Sequence, residues 1–111
     1  MCKQMDKIFK IPGDKIKNIA VGYGACIATD LITVNGSKVG YMYREEPDGV
    51  LSGWVFMSGE ETQDYMDNPE NMAIYDINTI ANYDPDIVSF IELPVGSECE
   101  RNESGTLIEM K

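Results

Sequence analysis

The sequence predicts an α+β fold: a small, mostly antiparallel sheet with two or three short helices. Its 111 residues and 43% apolar content suit one domain with a modest core. Short runs in which apolar and polar residues alternate are typical of strands. Asp76 and Asp84 stand before short helical patterns, where aspartate acts as an N-cap. We therefore expect a single domain over residues 1–111.

The N-terminal third has the least regular pattern. We expect residues 1–18 to form a partly mobile lead-in, because the turn residues Pro12-Gly13-Asp14 interrupt it. Residues 19–34 are mostly apolar and β-branched, and either one bent strand or two short elements fit them. Asn35-Gly36-Ser37 then predicts a turn.

The clearest strand pattern covers residues 38–45. Alternate residues there would share the core face, namely Val39, Tyr41 and Tyr43. The turn residues Pro47-Asp48-Gly49 and a second apolar run over residues 53–58 follow. We therefore predict an antiparallel pair within residues 38–58.

The second half predicts short helices between strands. Ser58 and Glu61 have the spacing of a capping box, which indicates a helix from Glu60 to Met66. A strand is expected over residues 72–75, and weaker strands over residues 95–99 and 106–110. The helices capped by Asp76 and Asp84 would have the inward faces Ile77, Ile80, Ala81 and Ile87, Phe90, Ile91.

The residue content argues against common catalytic chemistry. The chain has no histidine, the usual general base and metal ligand at neutral pH. Gly22-Tyr23-Gly24 lacks the third glycine of a dinucleotide loop. Cys2, Cys26 and Cys99 have no C-x-x-C spacing, so we expect reduced thiols. We predict a protein that is not an enzyme and has no cofactor or metal.

Charge is unevenly distributed along the chain. Residues 1–40 carry a balance of +3, whereas residues 41–111 hold three basic and sixteen acidic side chains. Such acidity disfavours binding to nucleic acid or anionic membranes and attracts a basic protein. No apolar stretch is long enough to span a bilayer, and the N-terminus lacks the apolar core of a signal peptide. The expected location is the cytoplasm.

Two groups of acidic residues are candidates for a cation site or a catalytic site. The set from Asp64 to Glu70 lacks the spacing of a calcium loop, which favours a solvated helix end over a cation site. Glu45, Glu46 and Asp48 lie beside Arg44, where an exposed ion pair is a better interpretation than a catalytic pair of carboxylates.

Aromatic residues beside arginine and carboxylates are typical of binding hot spots. The predicted partner-binding residues are Tyr43, Arg44, Glu45, Glu46, Asp48, Trp54, Asp76, Asn78 and Asp84. For three residues of this set, two interpretations stay open. Trp54 suits the core as well as a ligand platform, and Asn78 and Asp84 suit helix caps as well as a polar site.

Several motifs occur together in a known order. They are Tyr41-Met42-Tyr43-Arg44-Glu45-Glu46-Pro47-Asp48, Ser52-Gly53-Trp54, Ser58-Gly59-Glu60, Asn68-Pro69-Glu70-Asn71, residues 75–85, and Pro94-Val95-Gly96-Ser97. Over residues 38–101 the chain resembles immunity protein family thirty-three, formerly a domain of unknown function. This family is classed with the immunity proteins of bacterial polymorphic toxin systems. The resemblance implies a cytosolic protein that binds and neutralises a toxin.

Two functional hypotheses follow. In the first, the acidic surface of an immunity-type protein meets a basic toxin, such as a nuclease. In the second, the chain is a small-ligand or regulatory module with a polar site around Arg44, Trp54 and Asp76.

Overall fold

The computed structural model describes residues 8–110. Its strands are β1 (Ala25–Thr29), β2 (Tyr41–Arg44), β3 (Leu51–Met57), β4 (Met72–Asp76), β5 (Glu98–Arg101) and β6 (Leu107–Met110). Its α-helices are α1 (Asp30–Thr33), α2 (Gln63–Met66) and α3 (Ile77–Tyr83). Short 3-10 helices cover Gly13–Lys15, Pro69–Asn71 and Pro85–Phe90. The α+β prediction is confirmed.

All six strands form one sheet in the order β4-β1-β3-β2-β5-β6. The sheet is mixed, because β1 and β3 are parallel whereas the other neighbouring strands are antiparallel. The predicted antiparallel pair is confirmed as β2 and β3. The two weaker C-terminal strands are present as the β5–β6 hairpin, but β5 begins at Glu98, three residues later than predicted. Residues 19–34 contain two elements, since α1 follows β1 directly.

A bulge interrupts the parallel pairing. Ala25 lies opposite Leu51 but Ile27 lies opposite Val55, so β3 advances four positions where β1 advances two. The Ser52 hydroxyl donates to the Ala25 carbonyl at 2.7 Å and replaces part of the lost ladder.

Gly53 lets the chain between β2 and β3 fold back onto the bulge. Its φ is 100°, and a Cβ at this position would lie 1.9 Å from the Glu45 carbonyl oxygen. The Glu45 N–H in turn donates to the Gly53 carbonyl at 2.8 Å. Only glycine accepts both the positive φ and this close approach.

The core lies on one face of the sheet, beneath α1, α3 and the 3-10 helix Pro85–Phe90. The sheet contributes Cys26, Ala28, Met42, Trp54, Phe56, Cys99 and Leu107, and the other segments contribute Ile32, Ile77, Ile80, Ala81, Ile87 and Ile91. Phe90 packs against this cluster while partly exposed. The predicted inward faces of both capped helices are thus confirmed. Between residues 8 and 110, no helix is both long and apolar enough to cross a membrane.

The predicted core face of β2 is wrong. Val39 is buried, but within the strand Met42 is the buried residue, whereas Tyr41 and Tyr43 lie partly exposed on the opposite face. The prediction assumed unbroken alternation from residue 38. The strand begins only at Tyr41, after Gly40 has passed so close to Ser58 that a Cβ would lie 2.0 Å from the Ser58 carbonyl oxygen.

The predicted capping box forms only in part. The Glu61 carboxylate accepts from the backbone N–H groups of Ser58 at 2.8 Å and Gly59 at 2.9 Å, and from the Thr29 hydroxyl. Burial opposes its ionisation, but these hydrogen bonds outweigh burial and lower the pKa of Glu61. The helix begins later than predicted, because Thr62 is the N-cap of α2.

The described part of the N-terminal segment is hydrogen-bonded to α3. The Asn78 side-chain oxygen accepts from the N–H groups of Ile19 at 2.7 Å and Ala20 at 2.8 Å. Its amide nitrogen donates to the Lys17 carbonyl at 2.9 Å. The predicted mobile lead-in lies partly outside the described residues, which begin at residue 8, and it stays a prediction.

Candidate functional site

Three loops meet at one end of the sheet, where β2 and β4 end and β3 and β5 begin. The Ala25 N–H donates to the Val50 carbonyl at 3.1 Å, which joins the first loop to the second. The Gly96 N–H donates to the Arg44 carbonyl at 2.8 Å, which joins the third loop to the end of β2. We call this region the loop end: residues 21–24, 45–50 and 92–97, together with Asp76, which pairs with Ala25.

The loop end is strongly acidic. Its exposed carboxylates are Glu45, Glu46, Asp48, Asp76 and Glu92. The three loops contain no lysine or arginine. The loops therefore supply no cation that compensates this negative charge. The whole segment from residue 45 to residue 100 also lacks lysine and arginine, and residues 60–70 hold five further acidic residues.

The same loops present apolar side chains to solvent. Val50 is 78% exposed, Val21 64% and Val95 42%, and each belongs to a different loop. Tyr23 is also exposed, and its hydroxyl donates to Glu92 at 2.8 Å. The loop end thus combines apolar surface with carboxylates, a composition suited to protein binding.

A depression of about 180 Å³ adjoins the second loop. Its lining includes the apolar residues Ile27, Leu51 and Val55 and the acidic residues Glu45, Glu46 and Asp48, together with Gly53 and Trp54. The structure therefore brings four of the predicted partner-binding residues together. The volume is below the roughly 300 Å³ at which pockets for drug-sized ligands begin.

Arg44 is turned away from the neighbouring carboxylates. Instead of forming the predicted ion pair, its Nε donates to the Ser52 carbonyl at 3.1 Å and its Nη1 to the Leu93 carbonyl at 2.7 Å. The guanidinium also lies 5.8 Å from the centroid of the Trp54 ring. Arg44 consequently ties the third loop to β3 and holds the loop end in shape.

Trp54 belongs to the core. Its indole N–H donates to the Ile91 carbonyl at 2.8 Å, and its ring stacks on Phe56. The core interpretation of this residue is therefore confirmed. Tyr43 lies on the open face of the sheet beside Tyr41, with 5.5 Å between ring centroids. Burial, followed by the charge of Glu45, raises the pKa of Tyr43 and keeps its phenol neutral.

Asp76, Asn78 and Asp84 act as caps and anchors. Asp76 caps α3 by accepting from the Asn78 N–H at 2.8 Å and stays exposed. Asp84 caps the 3-10 helix by accepting from the Asp86 N–H at 3.1 Å and is fully buried. Its carboxylate also accepts from Arg101 Nη2 at 2.6 Å. The cap interpretation is confirmed for Asp84, whereas Asn78 lies within α3 and its side chain binds the backbone of residues 17–20. The Arg101 ion pair is an addition that the sequence did not indicate.

The nine predicted residues therefore fall into two groups. Those with side chains accessible at or beside the loop end are Tyr43, Glu45, Glu46, Asp48 and Asp76. Those buried or bonded inward are Arg44, Trp54, Asn78 and Asp84. The second group supports the surface and does not form it. Val21, Val50, Val95 and Glu92 are also exposed at the loop end and are not among the predicted residues, because isolated loop residues follow no period that would mark them.

The described residues offer little to a metal or an electrophile. Between residues 8 and 110, no three acidic or thiol side chains converge as metal ligands. Cys26 and Cys99 are buried free thiols, as predicted, and burial raises the pKa of each. Cys2 lies outside the described residues.

A family model described as the immunity protein Imm33 domain matches residues 26–111. The chain belongs to the Imm33 family. This match confirms the resemblance and extends beyond residues 38–101 to include β1, α1 and β6. No curated protein and no solved structure is significantly similar to the chain. The Imm33 region contains two loops of the loop end and Asp76, and residues 21–24 precede it.

Proposed function

We propose that this chain binds a bacterial toxin in the cytoplasm and neutralises it by binding, without catalysis. Membership of the Imm33 immunity family supports the immunity role. The acidic loop end is the single structural observation that supports a particular mode of binding. A surface of clustered, exposed carboxylates attracts a partner of opposite charge.

The partner that best complements this surface is a basic protein toxin. A nuclease is the natural example, because an enzyme that binds phosphate backbones presents lysine and arginine along its substrate groove. An acidic protein over that groove would exclude nucleic acid by occupying its place. The same carboxylates repel nucleic acid and anionic lipids, so neither is proposed as a partner.

The decisive experiment uses any toxin-like protein that a gene neighbouring the gene of this chain encodes. Coexpression of the full chain should restore growth to cells that express this toxin. The two purified proteins should form a complex in size-exclusion chromatography. The absence of both rescue and complex formation would contradict the proposed function.

Electrostatic attraction should dominate the association rate. Steered association is typically orders of magnitude faster at low salt than the roughly 10⁵–10⁶ M⁻¹s⁻¹ of uncharged partners. We therefore expect the association rate to fall by about tenfold or more as salt rises from low to high concentration, because added ions screen exposed charges. An association rate independent of salt would contradict the acidic mode of binding.

A matched pair of charge reversals locates the attraction. Glu46 lies in the loop end, whereas Glu103 is exposed in the β5–β6 turn at the opposite end of the sheet. Glu46→Lys and Glu103→Lys change the net charge equally. We expect roughly a fivefold or greater loss of association rate for Glu46→Lys and less than about twofold for Glu103→Lys. Equal losses would show that net charge, and not the loop end, directs the partner.

The small-ligand hypothesis receives no comparable support. Arg44 and Trp54 are engaged by backbone carbonyls, and Asp76 is an exposed helix cap. These three residues therefore perform structural roles.

A further inference from the structure

We propose that the toxin docks directly on the loop end, with Val21, Val50 and Val95 as the apolar contacts and the surrounding carboxylates as the charged border. This inference rests on the proposed function and deepens it. It assigns the docking face and states the chemistry of the partner surface: an apolar patch bordered by lysine and arginine.

The exposure of the three valines is the first observation. Val21 is 64% exposed, Val50 78% and Val95 42%. A single exposed apolar side chain on a protein surface needs no explanation. Three exposed valines on three loops that meet at one end of the sheet together form an apolar surface that a partner can contact.

The second observation is that the loops are joined to one another and to the sheet. The Val50 carbonyl accepts from Ala25, and the Tyr23 hydroxyl donates to Glu92. The Arg44 guanidinium donates to the Leu93 carbonyl. The valines are therefore presented on loops with defined positions, which lowers the entropy cost of binding.

Charge decides which partner fits. A second copy of this chain would place like carboxylates opposite each other across a symmetric interface, which is unfavourable. Nucleic acid and anionic membranes are repelled for the same reason. A basic protein surface is complementary, because the aliphatic stems of lysine and arginine can pack on the valines while their charged ends reach the carboxylates.

The open face of the sheet is the main alternative docking surface. It carries the exposed side chains Ile74, Ile108 and Met110 beside Tyr41 and Tyr43. Its exposed carboxylates, Glu98 and Glu100, are fewer than the five of the loop end, so its charge complements a basic partner less strongly. The loop end offers apolar surface and complementary charge together.

The two chemical components should affect different rates. Desolvated apolar contacts form after the encounter and slow dissociation, whereas border charges speed association. The valines should therefore control the dissociation rate with little dependence on salt. The carboxylates should control the salt-dependent association rate.

The test measures association and dissociation rates of full-length variants with a toxin that a neighbouring gene encodes. The test variants are Val50→Ser and Val21→Ser. The controls are Val88→Ser, on the 3-10 helix of the helical layer and 37% exposed, and Ile108→Ser, on the open face. All four positions are exposed, so each variant should fold. The thermal unfolding temperature of each variant checks this.

We expect Val50→Ser to dissociate about tenfold faster, which corresponds to about 1.4 kcal/mol, close to the value for complete burial of a valine. Val21→Ser should behave similarly, while both association rates and both controls stay within about twofold of wild type.

The outcomes separate the two proposals. If wild type neutralises the toxin and the valine variants dissociate like wild type, the docking inference is wrong and the proposed function stands. If Ile108→Ser alone weakens binding, the open face is the docking surface and the inference is again wrong. If wild type neither binds nor neutralises the toxin, both proposals fail.

Discussion

Replacing Asp84 by alanine should remove a large share of the stability of the domain. The Asp84 carboxylate is fully buried and accepts from the Val39 N–H at 2.9 Å and the Asp86 N–H at 3.1 Å. It also forms an ion pair with Arg101 at 2.6 Å. Asp84→Ala leaves the Val39 N–H without its acceptor in the interior and the guanidinium without its closest counter-charge.

The expected loss follows from burial. Breaking a buried ion pair costs about 3–5 kcal/mol, because one charge stays desolvated and unpaired. The Arg101 side chain is 15% exposed and still donates to Val39 and Gly105 carbonyls, so we expect a value of about 3 kcal/mol. Since domains of this size are stable by about 5–15 kcal/mol, the variant should remain folded but be much easier to unfold.

Urea unfolding followed by Trp54 fluorescence measures this loss, and Trp54 is the only tryptophan. Asp86→Ala is the matched control, because Asp86 also pairs with Arg101 at 3.0 Å but is 56% exposed. It should cost less than about 1 kcal/mol. The double substitution Asp84→Leu with Arg101→Met should recover part of the loss, since it leaves no buried charge. A loss for Asp84→Ala no greater than that for Asp86→Ala would refute the reasoning.

Three further perturbations test other parts of the fold. The pKa of Glu61 is lowered from 4.5 in the folded state, so its stabilisation is present above that pH and is lost as the pH falls through the folded pKa. Glu61→Gln should therefore lower the free energy of unfolding in urea by roughly 1–2 kcal/mol at neutral pH. The difference from wild type should become smaller in acid, and a difference independent of pH would contradict this. Gly53→Ala should lower the free energy of unfolding by about 3 kcal/mol or more. The control Gly49→Ala also lies at positive φ but has no atom near its Cβ, so it should lower this energy by only about 1 kcal/mol. Equal urea midpoints for the two variants would show that the close approach of Gly53 to the Glu45 carbonyl is unimportant. Asn78→Leu should cost about 2–3 kcal/mol and speed hydrogen exchange at the Ile19 and Ala20 amides, which lose their acceptor; unchanged exchange would indicate that other contacts hold this segment.

Local patterns predicted much of the fold correctly. Asp76 and Asp84 were recognisable as caps because each accepts from an N–H only two residues along the chain. The inward faces of the helices they cap followed from the helical period. The strand pairing of β5 with β6 was also accessible, because a short polar turn joins them.

Predictions that depended on distant contacts were wrong or absent. The face of β2 was inverted because the alternation was extended back across Gly40, whose backbone is packed against Ser58. The parallel pairing of β1 with β3 was not predicted, because the local sequence does not indicate which strands become neighbours in the sheet. The role of Arg44 was also misjudged, because its Leu93 acceptor is 49 positions away.

The candidate site divides in the same way. The sequence by itself determined the uneven charge, the lack of histidine and the family resemblance, because these depend only on which residues are present and in what order. The tertiary structure decided which charges reach the surface: it buries Asp84 against Arg101 and leaves Glu45 and Glu46 exposed. It also brought three separate loops to one end of the sheet. The physical reason is that burial and proximity arise from strand order and packing, which join residues that have no pattern in common along the chain.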